Sequence, residues 1–304
     1  MNNHTPLPLL FSPEVSRARA ARLPLVALES TVITHGLPYP QNLQIACEME
    51  AEVRRLGAVP ATIAMIAGQL CVGLNEEQLE NLARGTSVQK LSPRDLAIAS
   101  LRKQDGGTTV AGTIFIAHHA GIKVFATGGI GGVHRYPPYD ISADLMQLAN
   151  TPIVVVCAGA KAILNLPGTL ELLETLGVPV IGYRTDEFPA FYCRSSGLAL
   201  KTRMDAPEEV ARLAEVHWGL GLRSAILVAT PPPEEVVLPE TIIQKAVSQA
   251  VEEAHELGVR GQEMTPFLLR RVSELTGGES LKANLALLRN NARLAARIAM
   301  EMSH

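Results

Sequence analysis

Apolar residues along the chain follow two alternating patterns. Short continuous runs occupy residues 25–28, 62–66, 123–126, 153–157, 178–182 and 225–229, most of them rich in Val and Ile. Unbroken runs of this length fit strands covered on both faces. Between them apolar residues recur at helical spacing, as at Leu43, Ala46, Met49, Val53 and Leu56, where the pattern stops at Gly57. Asn75 and Gln78 have capping-box spacing, Ser92 precedes a proline at a first helical position, and Asp205 stands where it can cap a helix running to Leu220. Alternation of this kind predicts a three-layer α/β/α arrangement around a largely parallel or mixed sheet. From Pro239 onward no strand pattern remains. That region reads as three helices, broken at Gly258 to Gly261 and at Gly277-Gly278. No period of twenty to fifty residues marks a repeat protein. The expected organisation is one α/β catalytic domain over 1–304, with a tail or helix over 1–20 and helices over 239–304 packed on the same unit. Pro231-Pro232-Pro233 reads as a rigid loop inside it.

The chain has 304 residues, 47 % hydrophobic and 19 % charged, which is enough to bury a large core without staples. A formal net charge of -3 and the lack of a Lys/Arg block argue against a nucleic-acid polymer as partner and for small molecules. Cys47, Cys71, Cys157 and Cys193 show neither C-x-x-C nor zinc spacing and read as core residues. The N-terminal stretch lacks a basic segment followed by an apolar one, and no run of about eighteen apolar residues can span a membrane, so a cytoplasmic location is expected.

Common signatures fail. The loop Gly128 to Gly132 follows a strand, but G-x-G-x-x-G started at Gly129 ends on His134, and no Gly-Lys dipeptide or H-E-x-x-H exists. The loop can still offer backbone N–H groups to a phosphate, or be only a tight turn. Four polar clusters lie beside apolar strands, where open α/β sheets bind ligands. Glu29-Ser30-Thr31 offers a general acid/base or a solvated charge. Lys90 lies just before the helix capped by Ser92. Asp140-Ile141-Ser142-Ala143-Asp144 can bind a hard cation or a sugar hydroxyl, or simply cap a helix. Lys161 follows a buried run and small residues, where desolvation and a neighbouring cation such as Lys90 would favour the free amine, or it snorkels from the sheet edge.

Longer phrases carry a family resemblance. They include Val26-Ala27-Leu28-Glu29-Ser30-Thr31, His35-Gly36-Leu37-Pro38-Tyr39-Pro40-Gln41-Asn42, Thr108-Thr109-Val110-Ala111-Gly112-Thr113, Ala126-Thr127-Gly128-Gly129-Ile130-Gly131-Gly132-Val133-His134-Arg135 and Thr185-Asp186-Glu187-Phe188-Pro189-Ala190-Phe191-Tyr192. With Ala283-Asn284-Leu285-Ala286 near the end, the chain resembles the pseudouridine-5'-phosphate glycosidase family, which includes indigoidine synthase A-like proteins. The resemblance implies reversible cleavage of pseudouridine 5'-phosphate to uracil and ribose 5-phosphate, with a divalent ion, typically Mn2+. It implies Glu29 as proton donor, Lys161 as nucleophile and Asp140 as metal ligand. Substrate contacts fall on Lys90, Thr109, Val110, Thr127, His134, Ser142, Ala143, Asp144 and Asn284. It also suggests a homo-oligomer, in particular a trimer. The stretch His134 to Asp140 is about two residues shorter than the family's usual form and lacks its acidic residue, and Asn165-Leu166-Pro167 replaces a Leu-Asp-Ile type of sequence.

The bond at issue joins two carbons, so protonation of a leaving oxygen between two carboxylates does not apply. An imine between Lys161 and the ring-opened sugar would supply the electron sink, with Glu29 moving protons. Other readings of the same residues are a Schiff-base phosphosugar aldolase or lyase and a non-catalytic phosphosugar or nucleotide sensor.

Overall fold

A computed structural model describes residues 8–135 and 139–303. Residues 1–7, 136–138 and 304 lie outside the described residues, and with them the first part of the predicted N-terminal tail and part of the shortened stretch before Asp140. In chain order the first elements are β1 (Leu9–Phe11), α1 (Pro13–Ala20), β2 (Leu25–Leu28), a π-helical turn (Val32–Gly36), α2 (Gln41–Arg55), β3 (Val59–Ile66), β4 (Gln69–Val72) and α3 (Glu76–Arg84). Next come β5 (Gln89–Leu91), α4 (Pro93–Leu101), β6 (Gly106–Thr108), α5 (Val110–His119), β7 (Val124–Ala126), α6 (Ala143–Ala149), β8 (Val154–Cys157) and α7 (Leu166–Thr175). The last are β9 (Val180–Tyr183), β10 (Arg203–Met204), α8 (Pro207–Gly219), β11 (Ile226–Ala229), α9 (Glu240–Glu256), α10 (Met264–Leu275) and α11 (Glu279–Glu301).

The strands join in one sheet in the order β1-β4-β3-β2-β7-β8-β11-β9-β10, with β6 on β3 and β5 on β6. Every pairing from β3 through β2, β7, β8, β11, β9 and β10 is parallel. The second half of β3 pairs antiparallel with β4 and β6, so the sheet is mixed at that end. Ala67 and Gly68, both at positive φ, make the two-residue hairpin between β3 and β4.

The central strands are apolar on both faces because both faces are covered. Val154, Val155, Val156 and Cys157 are fully buried, as are Ile226 to Ala229. On one side α2, α8 and α11 pack together, with α11 against β2, β7 and β8; α5, α6 and α7 form a second group, α5 lying on β2, β3 and β4. Buried Ala283, Ala292, Ala295, Ala296 and Ala299 let α11 lie close to the sheet. Its amide Asn291 Nδ2 donates to the carbonyls of Thr127 (2.8 Å) and Gly128 (3.3 Å), fixing the helix to the loop after β7.

Several expectations change in detail. Asp205 does not cap α8: the cap residue is Ala206, and Glu209 reaches back to accept from the N–H groups of Asp205 and Ala206. A long carboxylate in the first turn satisfies two orphan donors at once, which Asp205 cannot do from outside. Asn75 and Gln78 do form their reciprocal box. Asn165 caps α7 by accepting from Gly168 N–H at 3.0 Å, which accounts for the unusual sequence after Lys161. Cys47 is exposed, whereas Cys71, Cys157 and Cys193 are buried. Among the described residues no helix is long and apolar enough to cross a membrane.

Candidate active site

Three neighbouring parallel strands end side by side, and each delivers a polar residue. β2 runs into Glu29, β7 into Thr127 and β8 into the turn that carries Lys161. Adjacent strands are about 4.8 Å apart, so side chains at their ends meet directly. Thr127 Oγ1 donates to Glu29 Oε1 and Thr31 Oγ1 donates to Glu29 Oε2. Glu29 is 8 % exposed, which makes this pair of hydroxyl donors its main replacement for water. The carboxylate is thereby held in one orientation.

Backbone geometry aims the residues around it. Directly after Thr31 the chain makes its π-helical turn, a form common at functional sites, and this brings His35 to the pocket wall. Burial, and then the charge of Lys90, hold the His35 ring below the ordinary histidine pKa. Behind Lys161, Gly159 takes φ +82°, and a Cβ there would lie 2.3 Å from the Pro189 carbonyl oxygen, so only glycine fits the turn. Phe191 adopts φ +63°, a conformation costing an aromatic residue about 1–3 kcal/mol. Its ring lies on Gly129, where an added Cβ would come within 2.6 Å of it. Lys161 itself is half-buried, and its N–H donates to the Ile130 carbonyl at 3.1 Å.

Glu29, Lys90, Lys161 and Asn284 line one pocket, together with Thr31, Gly128, Gly129 and Phe191; Thr265, Pro266 and Leu269 of α10 add to the lining. Lys90 enters from the middle of β5, and its pKa falls to about 8, first through burial and next through the positive charge of Lys161, with Asp144 and Glu29 opposing. Lys161 lines the same pocket, and its positive charge favours the neutral amine of Lys90.

The remaining expected residues ring this centre without lining it. Thr109 caps α5 by accepting from Gly112 N–H, and Val110 opens that helix, so its backbone N–H belongs to the first turn and has no carbonyl partner within the helix. Asp144 is 5 % exposed and spans two backbones, Oδ1 accepting from Ala111 N–H (2.9 Å) and Oδ2 from Gly131 N–H (2.8 Å). Ser142 caps α6, accepting from Asp144 N–H at 3.2 Å, and Ala143 is exposed at the start of that helix. The capping alternative thus holds for Ser142, and Asp144 braces the glycine loop against α5. Asp140 sits beside His134, its carbonyl accepting His134 N–H at 2.9 Å. Burial lowers the His134 pKa, Lys161 and Lys90 add to the depression, and Asp140 opposes it. In the glycine loop, the N–H groups of Ile130, Gly131 and Val133 already donate to Gly159, Asp144 and Thr169, whereas Gly128 and Gly129 line the pocket. Its glycines serve close packing.

Residues missed by sequence reasoning are His35, Phe191 and the α10 trio. His35 carried one usable signal, a histidine six positions after Glu29, whereas Phe191 and α10 arrive by tertiary packing alone.

A buried glutamate and two lysines lining one pocket beside the carboxyl ends of parallel strands make this the candidate active site of an α/β enzyme. The family model described as indigoidine synthase A like protein matches residues 14–301. The chain is 55 % identical over 296 residues to the pseudouridine-5'-phosphate glycosidase of Escherichia coli (strain K12), an alignment covering 96 % of this chain and 95 % of that protein. It is 56 % identical over 299 residues to the protein of the same name from Paracoccus denitrificans, covering 97 % and 98 %. Among solved structures, an indigoidine synthase A-like protein from Thermotoga maritima superposes with TM-score 0.91 at 35 % identity, covering 100 % and 99 % of the two chains. The prealnumycin C-glycosynthase in complex with ribulose 5-phosphate superposes with TM-score 0.89 at 41 % identity, covering 97 % of each. The chain belongs to the indigoidine synthase A-like family.

Proposed function

We propose that the chain is a pseudouridine-5'-phosphate glycosidase that joins and separates uracil and ribose 5-phosphate through an imine on Lys161. The observation that carries this reading is the convergence of Lys161, Lys90 and Glu29 in one pocket. In the joining direction, the Lys161 amine adds to the aldehyde C1' of open-chain ribose 5-phosphate and water leaves, giving a protonated imine. C5 of uracil attacks C1', the electron pair of the C=N bond returns to nitrogen, and the C5 proton passes to a base. The 4'-hydroxyl then displaces the lysine amine from C1', closing the ring and freeing Lys161. Cleavage is the same sequence reversed, and imine hydrolysis consumes the water. Glu29 is the carboxylate lining the pocket and moves these protons, each transfer worth roughly 10²–10⁴-fold. Lys90 in its charged form holds the phosphate.

A divalent ion belongs to the same proposal. Among the described residues no three His, Cys, Asp or Glu side chains gather as a closed cage. Asp140 offers one carboxylate beside His134, a donor set that fits a hard ion retaining most of its waters, as manganese does, and not a soft-ligand zinc site. Asp140 would hold the ion, which supplies fixed positive charge near the sugar-phosphate end. The family resemblance adds a homo-oligomer, with a trimer as the suggested form.

Incubating the protein with uracil and ribose 5-phosphate tests the activity. Chromatography with ultraviolet detection should show uracil converted to a single C-nucleotide. A protein that consumes ribose 5-phosphate while ignoring uracil would be a different Schiff-base lyase, and one that binds both without turnover would be a sensor.

A further inference from the structure

A second pocket, of about 320 Å3, opens beyond the carboxyl ends of β9 and β11 and shares no lining residue with the catalytic one. Tyr183, the last residue of β9, and Thr230, just after β11, form its floor, and Pro231 to Pro233 make one wall. The opposite wall is α11, where Asn290, Arg293, Leu294 and Arg297 stand three and four residues apart and so share one face. Arg184 and Arg194 complete a set of four guanidinium groups, and among the described residues no aspartate or glutamate lines the pocket.

The polar groups there are incompletely matched. Tyr183 is 6 % exposed, and among the described residues its hydroxyl has no hydrogen-bond partner; Arg293 Nε is also buried without one. A buried donor without an acceptor costs about 1–3 kcal/mol. Neighbouring acids offset only part of the charge. Glu52 takes Arg293 Nη2 at 2.6 Å, Glu234 stands 3.5 Å from Arg194, and Arg184 Nε donates to the Asp205 carbonyl at 3.0 Å. Arg297 has no ion pair among the described residues and, with Arg184, adds positive charge around the Tyr183 hydroxyl, with Glu208 and Asp205 opposing from outside the pocket lining. Burial keeps that phenol in its neutral, donating form.

From this unbalanced donor set we infer that the pocket is a second anion site, distinct from the catalytic one, that takes the phosphate group of a phosphorylated small molecule. Guanidinium forks match phosphate oxygens in pairs, and the Tyr183 hydroxyl and Asn290 amide add neutral donors. The volume lies within the roughly 300–1,000 Å3 typical of small-molecule sites, which leaves room for an organic body beside the phosphate. The inference does not depend on the chemistry proposed for Lys161.

Calorimetric titration with inorganic phosphate tests it on five proteins: wild type, Lys90→Ala, Arg184→Gln/Arg297→Gln, Tyr183→Phe and the triple variant that combines the first two changes. Lys90→Ala removes the phosphate contact of the catalytic pocket and should leave the second site intact. The double variant changes two largely exposed arginines, should keep its circular dichroism spectrum and its turnover in low phosphate, and should bind at the second site at least about tenfold more weakly, given the strength of charge-assisted hydrogen bonds. Tyr183→Phe should weaken the same event by a smaller factor. Phosphate affinity in Lys90→Ala equal to that in a triple variant lacking Arg184 and Arg297 as well would overturn the inference. So would the absence of any phosphate binding to Lys90→Ala at millimolar concentrations.

Discussion

Replacing Asp144 with asparagine separates a structural brace from an electrostatic one. The buried carboxylate accepts one N–H from α5 and one from the glycine loop, at 2.9 and 2.8 Å. Asparagine has the same shape but keeps one acceptor, and its NH2 then faces a backbone N–H. A hydrogen bond to a charged group contributes about 1.5–3 kcal/mol, and an orphaned buried donor costs about 1–3 kcal/mol. Because these overlap, the loss should be about 2–4 kcal/mol. For a chain of this length each kcal/mol shifts Tm by about 2 °C, so Asp144→Asn should melt about 4–8 °C lower. The same change removes a negative charge that favours the cationic form of Lys90. Lys90 is charged below its pKa of about 8 and neutral above it, so phosphate capture, and with it kcat/KM, should fall as pH rises through that value. Without Asp144 the neutral form is easier to reach, and this alkaline limb should move to lower pH. Circular dichroism melting gives the first number, and kcat/KM against pH, followed by uracil consumption, gives the second. An unchanged Tm would refute the brace. A limb that stays put or moves to higher pH in a variant of lowered Tm would refute the electrostatic link.

Two further outcomes follow from the same geometry. Glu29→Gln keeps a polar side chain between Thr31 and Thr127, so substrate should still bind while kcat falls by at least about 10²-fold; a change confined to KM would assign Glu29 to binding. Chelator should depress turnover, and manganese should restore it better than zinc, because Asp140 offers oxygen and no thiolate; full activity of metal-free protein in chelator would remove the ion from the account.

The parts legible in the sequence were those in which local pattern and tertiary role coincide. The buried runs at 25–28 and 153–157 declared β2 and β8 because both faces are covered, and the polar residues that follow them, Glu29 and Lys161, came with them. The glycine breaks at 258–261 and 277–278 fixed the three C-terminal helices for the same reason. Short elements were silent. β5 is Gln-Lys-Leu and β6 is Gly-Gly-Thr, neither of which has an apolar run, yet together they carry Lys90 into the pocket. The glycine loop stayed open between a phosphate site and a tight turn because spacing does not show which N–H groups are already bonded. The bracing role of Asp144 was silent because its partners, Ala111 and Gly131, lie 33 and 13 residues away in the chain. Arg293 and Arg297 stand one helical turn apart in α11, but the orphaned Tyr183 hydroxyl that gives them meaning exists only in three dimensions.

The central claim is that Lys161 carries the sugar, and covalent capture tests it most directly. An imine forms from the free amine of a lysine, and Lys161 lines the same pocket as Lys90 and Glu29. Incubation with ribose 5-phosphate followed by borohydride should convert the imine to a secondary amine. Intact-mass analysis should then show one sugar phosphate per chain, and peptide mapping should place it on Lys161. Lys161→Ala should remain folded and lose both the adduct and the joining of uracil to the sugar. An adduct on Lys90 or Lys123, or undiminished turnover in Lys161→Ala, would contradict the account.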